Sequence, residues 1–219
     1  MKLLKYSTII LIVLFLTSCN REKKSTVAPT TITPVNPYAY LGTLSPSQEV
    51  VKNELIAYLT YLKSFNTNEI VKKTYTPLFS VINETHFREY ISTMMHSKDI
   101  IIKKYDTNIT KIGKVKAFSN GTQFSQISYT SNAKIIFLND KLYNNATSIN
   151  FLYDVFIHKY GKENIHVDIA KRSLEIKRKE KMIVIKEENQ PWKFIGDTLE
   201  YRRLYPNILP YEILTNLEN

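Results

Sequence analysis

Phe118-Ser119-Asn120-Gly121-Thr122-Gln123-Phe124-Ser125-Gln126-Ile127-Ser128-Tyr129-Thr130-Ser131-Asn132-Ala133-Lys134-Ile135-Ile136-Phe137 reads as a tight turn feeding one long strand. Asn120-Gly121 is the strongest hairpin signal in the chain, because a type I′ turn needs positive φ at both central residues. Beyond the turn, Ile127, Tyr129, Ser131, Ala133, Ile135 and Phe137 fall on one strand face, since successive side chains alternate. Strand character flanks this stretch on both sides. Ile100-Ile101-Ile102 and Ile109 to Phe118 precede it, while Ile165–Asp168, Leu174–Lys177, Met182–Lys186 and Trp192–Ile195 follow as four short strands. Asn189-Gln190-Pro191 turns between the last two.

Helical periodicity dominates upstream. Ser45-Pro46-Ser47-Gln48 has a capping serine, proline at the first helical position and glutamine three residues after the cap. Val51, Leu55, Tyr58, Leu59 and Leu62 then form one stripe. Asn66-Thr67-Asn68-Glu69 opens a shorter helix that Pro77 should end. A third helix begins at Asn83, with Phe87, Ile91, Met94 and Met95 inward. Between the strands, Ile149 to Tyr160 reads as a helix with Ser148 as cap and Gly161 as stop, and Tyr211 to Leu217 as a small terminal one. Helices first and a mostly antiparallel sheet afterwards is α+β segregation.

The pair Met182-Ile183-Val184-Ile185-Lys186 and Pro191-Trp192-Lys193-Phe194-Ile195 resembles the closing hairpin of the NTF2-like (cystatin-like) fold. That resemblance implies a cone, with N-terminal helices packed on a curved, mostly antiparallel sheet. Tyr75-Thr76-Pro77-Leu78-Phe79, Phe151-Leu152-Tyr153-Asp154 with His158-Lys159-Tyr160-Gly161-Lys162-Glu163-Asn164, Trp192-Lys193-Phe194 and Leu209-Pro210-Tyr211-Glu212-Ile213-Leu214 resemble a group of uncharacterised bacterial exported proteins. The group implies no activity.

The amino terminus carries a different message. Lys2 and Lys5 precede the apolar run Ile9-Ile10-Leu11-Ile12-Val13-Leu14-Phe15, then Leu16-Thr17-Ser18-Cys19. A charged start, an apolar centre and small residues form a secretory signal, and the run is shorter than the ~20 residues a spanning helix needs. Ending in the only cysteine of the chain, it resembles a bacterial lipoprotein signal. Leu16, Thr17 and Ser18 match the lipobox, and Cys19 matches the residue that carries lipid after cleavage. The expected organisation is a signal peptide over 1–18, an acylated Cys19 with a flexible tether over 19–44, and one domain over 45–219. Pro29, Pro34 and Pro37 among Thr and Asn give the tether no apolar period to bury. Asn20-Arg21-Glu22-Lys23-Lys24 lacks an acidic run of the kind some surface-exported lipoproteins carry. The expected place is therefore the bacterial cell envelope, lipid-anchored to a membrane and facing the periplasm.

The formal charge is +10; removing Lys2 and Lys5 from 30 basic side chains leaves 28 against 20 acidic, or +8. A basic chain invites nucleic acid, but an exported lipoprotein meets none, so the expected partner is the membrane, through the lipid on Cys19. Lys171-Arg172 and Lys177-Arg178-Lys179 with Lys181 form the densest basic cluster, expected around strand ends and turns as a solvated edge guarded by lysines, with the phosphates of an envelope glycolipid as the alternative contact. With a lone cysteine no disulfide forms within the chain. Asn83, Asn108, Asn120 and Asn145 head N-glycosylation sequons, which a bacterial lipoprotein leaves bare.

Catalytic patterns are sparse. The four histidines show no metal spacing. Asp154 and His158, i and i+4 on one helix, read as a surface pair, and His166 with Asp168 as the wet face of a strand. No Gly-rich phosphate loop or G-x-S-x-G occurs, and no cofactor is expected. If a cone pocket exists, Tyr105, Asp106 and Tyr129 are the candidates to point into it. The expectation is a non-catalytic envelope module that binds a small apolar ligand or another envelope protein. The alternative is a pocket enzyme of the isomerase or dehydratase type using an inward carboxylate.

Overall fold

The computed structural model describes residues 37–139, 141, 143 and 146–218. The lipobox and Cys19 lie outside the described residues, as does most of the tether. Helix α1 (Pro46–Lys63) starts on a complete capping box: the Ser45 hydroxyl accepts from the Gln48 amide, and the Gln48 side chain accepts from Ser45 N–H. Its expected stripe, Val51, Leu55, Tyr58, Leu59 and Leu62, is buried. Asn66 caps α2 (Thr67–Lys73) by accepting from Glu69 N–H. This helix stops well before Pro77. Thr74 turns out of it, its hydroxyl donating back to Ile70 O at 2.8 Å, and its backbone bridges Phe194 instead. Pro77 opens a separate 3-10 turn, Thr76–Ser80. Helix α3 (Glu84–Met95) is capped by Asn83 and buries Phe87 and Ile91 as expected; the side chains of Met94 and Met95 lie outside the description. Helix α4 (Ala146–Tyr160) starts earlier than expected, which places Ser148 inside its first turn rather than at the cap. Gly161 ends it with φ +85° and its N–H donating to Ile157 O. Three single-turn helices close the chain: α5 (Leu199–Arg202), α6 (Tyr205–Ile208) and α7 (Tyr211–Leu214).

The sheet contains β1 (Ile100–Ile112), β2 (Lys116–Ala117), β3 (Gln123–Phe137), β4 (Ile165–Asp168), β5 (Ser173–Lys186) and β6 (Lys193–Gly196). Their order is β1-β3-β5-β4, with β2 also on β3 and β6 also on β5, and every pairing between them is antiparallel. The α+β architecture, helices packed on an open antiparallel sheet, is the one expected. Three local readings change. The segments around Ile102 and Ile109 are one strand, kept continuous by register shifts at Ile102/Lys104 and Ile109/Lys111, which are bulges that absorb an extra residue. Leu174–Lys177 and Met182–Lys186 are likewise one strand running through Arg178-Lys179-Glu180-Lys181. Lys177 to Lys181 is therefore not a turn, whereas Lys171-Arg172, the rest of the basic cluster, does lie in the turn before β5. The hairpin at Asn120-Gly121 exists, but only Gly121 has positive φ (+79°). Gly121 N–H donates to Phe118 O and Phe118 N–H to Thr122 O, the bonding of a three-residue loop with glycine at its left-handed position.

Two apolar clusters hold these layers. The larger lies between α1–α4 and the inner sheet face and includes Leu55, Ile91, Ile127, Ile135, Leu174 and Phe194. The smaller joins Ile183, Ile185 and Ile195 to Tyr205, Ile208, Leu209 and Ile213. The terminal helices thus cover the other face of the β5–β6 end, and Met182 to Ile185 are buried on both sides. Trp192 is buried. Packing begins before Ser45: Tyr38, Leu41 and Leu44 rest on the core, and the Tyr40 hydroxyl meets Asn108 Oδ1 and Ile109 O, each at 2.6 Å.

Candidate functional site

Strand β5 puts Leu174, Ile176, Arg178, Glu180, Met182 and Val184 on one face, and that face looks into the core. Two charged residues therefore sit where apolar ones are the rule. Arg178 is 5% exposed. Being two residues apart on a strand they project side by side, and Arg178 Nε lies 2.8 Å from Glu180 Oε1. Arg178 Nε–H also donates to Ser131 Oγ at 3.2 Å. The Nε–Oε1 approach is thus an ionic contact off the hydrogen-bonding direction, and Oε1 has no hydrogen-bond donor among the described residues.

Register explains who surrounds the pair. Tyr129 stands opposite Glu180 and Ser131 opposite Arg178, while Tyr105 on β1 pairs with Ala133 two residues along. The helices roof this polar layer with more tyrosines. Tyr58 of α1 stacks on Phe194 with centroids 4.3 Å apart, and the Tyr160 ring of α4 lies 5.8 Å from the Arg178 guanidinium carbon, a cation–π arrangement. A void of about 50 Å³ remains, lined by Tyr58, Tyr105, Tyr129, Tyr201, Glu180 and Met182 among mainly apolar neighbours. That is room for roughly three waters. Beside it the wall is thin: β4 pairs β5 only up to Ile176, and β6 only from Met182. Lys159, at the end of α4, meets Glu200 of α5 there at 3.8 Å.

Burial pushes the Glu180 carboxyl above the usual carboxylate range, with Arg178 and then Lys159 pulling it back. Arg178 is desolvated too, yet Glu180 and the tyrosines keep its affinity for the proton above normal. It stays a cation. Burial raises Tyr58, Tyr105 and Tyr129, and pushes Tyr201 up to about 12. The void therefore presents neutral phenols around one compensated charge pair.

Of the sequence candidates, Tyr105 and Tyr129 do point inward. Asp106 does not: the alternation of β1 that buries Tyr105 turns Asp106 to the exposed face. The inward carboxylate is Glu180, which the sequence reading passed over as part of a solvated cluster. Its signal was the parity Ile176-x-Arg178-x-Glu180-x-Met182, unbroken across the charges. Lys177, Lys179 and Lys181 take the exposed side. Asp154 and His158 are both exposed, as are His86, His96 and His166, and no cluster with metal-ligand composition occurs among the described residues. No helix among the described residues is long and apolar enough to cross a membrane. No family model, curated protein or solved structure matches the chain.

Proposed function

We propose that the chain is a lipid-anchored protein of the bacterial envelope, facing the periplasm, whose interior void holds a small uncharged ligand without transforming it. The observation that carries the ligand reading is the Arg178–Glu180 pair beside the void. Replacing a buried ion pair with apolar residues is often neutral or stabilising, so stability alone does not account for one set among tyrosines. Since the pair neutralises itself, a ligand needs no charge, and the phenols offer it hydrogen bonds beside apolar walls. A second reading rests on Glu180 alone. A carboxyl raised by burial and lining a void is placed for proton transfer, and it takes over the part the sequence assigned to Asp106.

Methanol and acetamide, with formate and methylammonium as charged counterparts, serve as probes matched to a void of about three waters, read by NMR on the Met182 methyl group. Saturable shifts with the neutral probes support the binding module. Shifts with none of the four would sink it. Turnover of any bound compound that Glu180→Gln abolishes while binding persists would establish the second reading instead. For the anchor, fatty-acid labelling in a bacterial host should vanish in Cys19→Ala; unchanged labelling refutes lipid attachment there.

A further inference from the structure

Apart from this void, the end of β1 and the loop to β2 line a groove of about 390 Å³. Lys111, Lys114 and Lys116 all line it, against one acidic residue, Glu218. The groove is held open from two directions. The Gln48 side chain donates to Ile112 O at 2.9 Å and Gly113 O at 3.2 Å, fixing the loop to the start of α1. From the other direction Lys116 Nζ donates to Asn216 O at 3.2 Å. Glu218 Oε2 lies 3.4 Å from Lys111 Nζ, with the two side chains about two-thirds exposed. A carboxylate of the chain itself is thus the anion that the groove now meets, in a loose, solvent-screened pair. Across the sheet the charge continues: Lys111 stands in register with Ser128, and Ser128 with the exposed Lys181.

The chain enters the domain at this same end. Tyr40 is tied to Asn108 and Ile109, just before Lys111, and the residue remains 54% exposed. Thirty-six residues precede the described part of the chain. We infer that this lysine groove docks on the anionic phosphates of the membrane to which Cys19 tethers the protein, with Tyr40 at the headgroup level, an inference that rests on the anchoring reading above. Lysines close to an anionic surface attract it additively, and the attraction decays within a Debye length. A short distance between tether and lysines therefore matters. Tyrosine is a residue of membrane–water interfaces. By contrast Lys98 and Lys171 sit beyond the far ends of β1 and β5, and Lys98 is roughly 40 Å from Lys111 at the usual rise per strand residue.

The test uses the full processed chain, reconstituted through its own anchor into vesicles of phosphatidylcholine alone or mixed with phosphatidylglycerol. Lysines are labelled with a membrane-impermeant amine reagent and quantified by mass spectrometry. Labelling of Lys111, Lys114 and Lys116 should fall several-fold on the anionic vesicles and recover in high salt, while Lys98 and Lys171 stay unchanged. Equal labelling of the three on both vesicle types, with the protein retained, overturns the docking and leaves the anchor standing. Retention on anionic vesicles alone after a carbonate-free, low-salt wash supports docking and sinks the anchor. Loss from both sinks both. The variant Lys111→Gln/Lys114→Gln/Lys116→Gln, checked for fold by circular dichroism, should lose about a hundredfold in the anionic contribution to partitioning.

Discussion

Replacing Arg178 and Glu180 singly and together tests whether the interior polar layer behaves as one unit. The Arg178 side chain is 3% exposed and that of Glu180 16%, with 2.8 Å between Nε and Oε1. Removing one partner of such a pair costs about 3–5 kcal/mol, because a charge remains buried without compensation. The two single variants should not be equal. Glu180→Leu leaves a guanidinium that cannot shed its proton and should cost about 4–5 kcal/mol, the upper part of that range. Arg178→Met leaves a carboxyl that burial already biases toward the neutral form, beside a void that can take water, so about 3 kcal/mol is expected. Removing both charges restores an apolar strand face between Ile176 and Met182, and the double variant should lie within ~1 kcal/mol of the natural protein or above it. Urea unfolding followed by the buried Trp192 reads all four corners of the cycle. At about 2–4 °C per kcal/mol for a chain of this size, the single variants should melt roughly 6–20 °C lower. A double variant whose loss equals the sum of the singles would refute the coupling, and with it the account of why two charges face this core.

Stability should also depend on pH through Glu180. Its folded carboxyl binds a proton more readily than its unfolded one, so its contribution is greatest below the unfolded value of ~4.3 and is lost as pH rises through the higher folded value. Arg178 opposes that shift; the loss as pH rises above the unfolded value should therefore be steeper in Arg178→Met than in the natural protein, and parallel urea-stability profiles would count against it. Gly161→Ala places a side chain at φ +85° and ψ 144°, a region nearly closed to other residues, and should lower unfolding stability by about 1–3 kcal/mol. No loss in thermal or urea unfolding would mean that α4 can end another way.

Elements whose local signal agreed with their packing were legible in the sequence. The Ser45–Gln48 capping box and the stripe from Val51 to Leu62 specify α1 by themselves, since cap and stripe need nothing beyond one helical period. The alternation from Ile127 to Phe137 specifies β3 in the same way, and Gly161 the end of α4. The inward Tyr129 followed from the alternation of β3. The errors fall where polar residues were read by their chemistry and not by their parity. Five consecutive charges, Lys177 to Lys181, look like a solvated turn. In the fold three of them face water and two face each other across the core side of one unbroken strand.

Only the tertiary structure decided that Glu180, not Asp106, is the inward carboxylate. A strand's period of two states which residues share a face, but not which face is covered. That choice was made by the bulges in β1, by the register that sets Ser131 against Arg178, and by helices that bring Tyr58 and Tyr160 over the pair. The grouping of Lys111, Lys114 and Lys116 with Glu218 likewise needs the last residues of the chain folded back against β1, and a separation of about a hundred residues leaves no local trace. Signals carried within one turn or one strand survive in the sequence; those made by the meeting of distant segments exist only once the chain has packed.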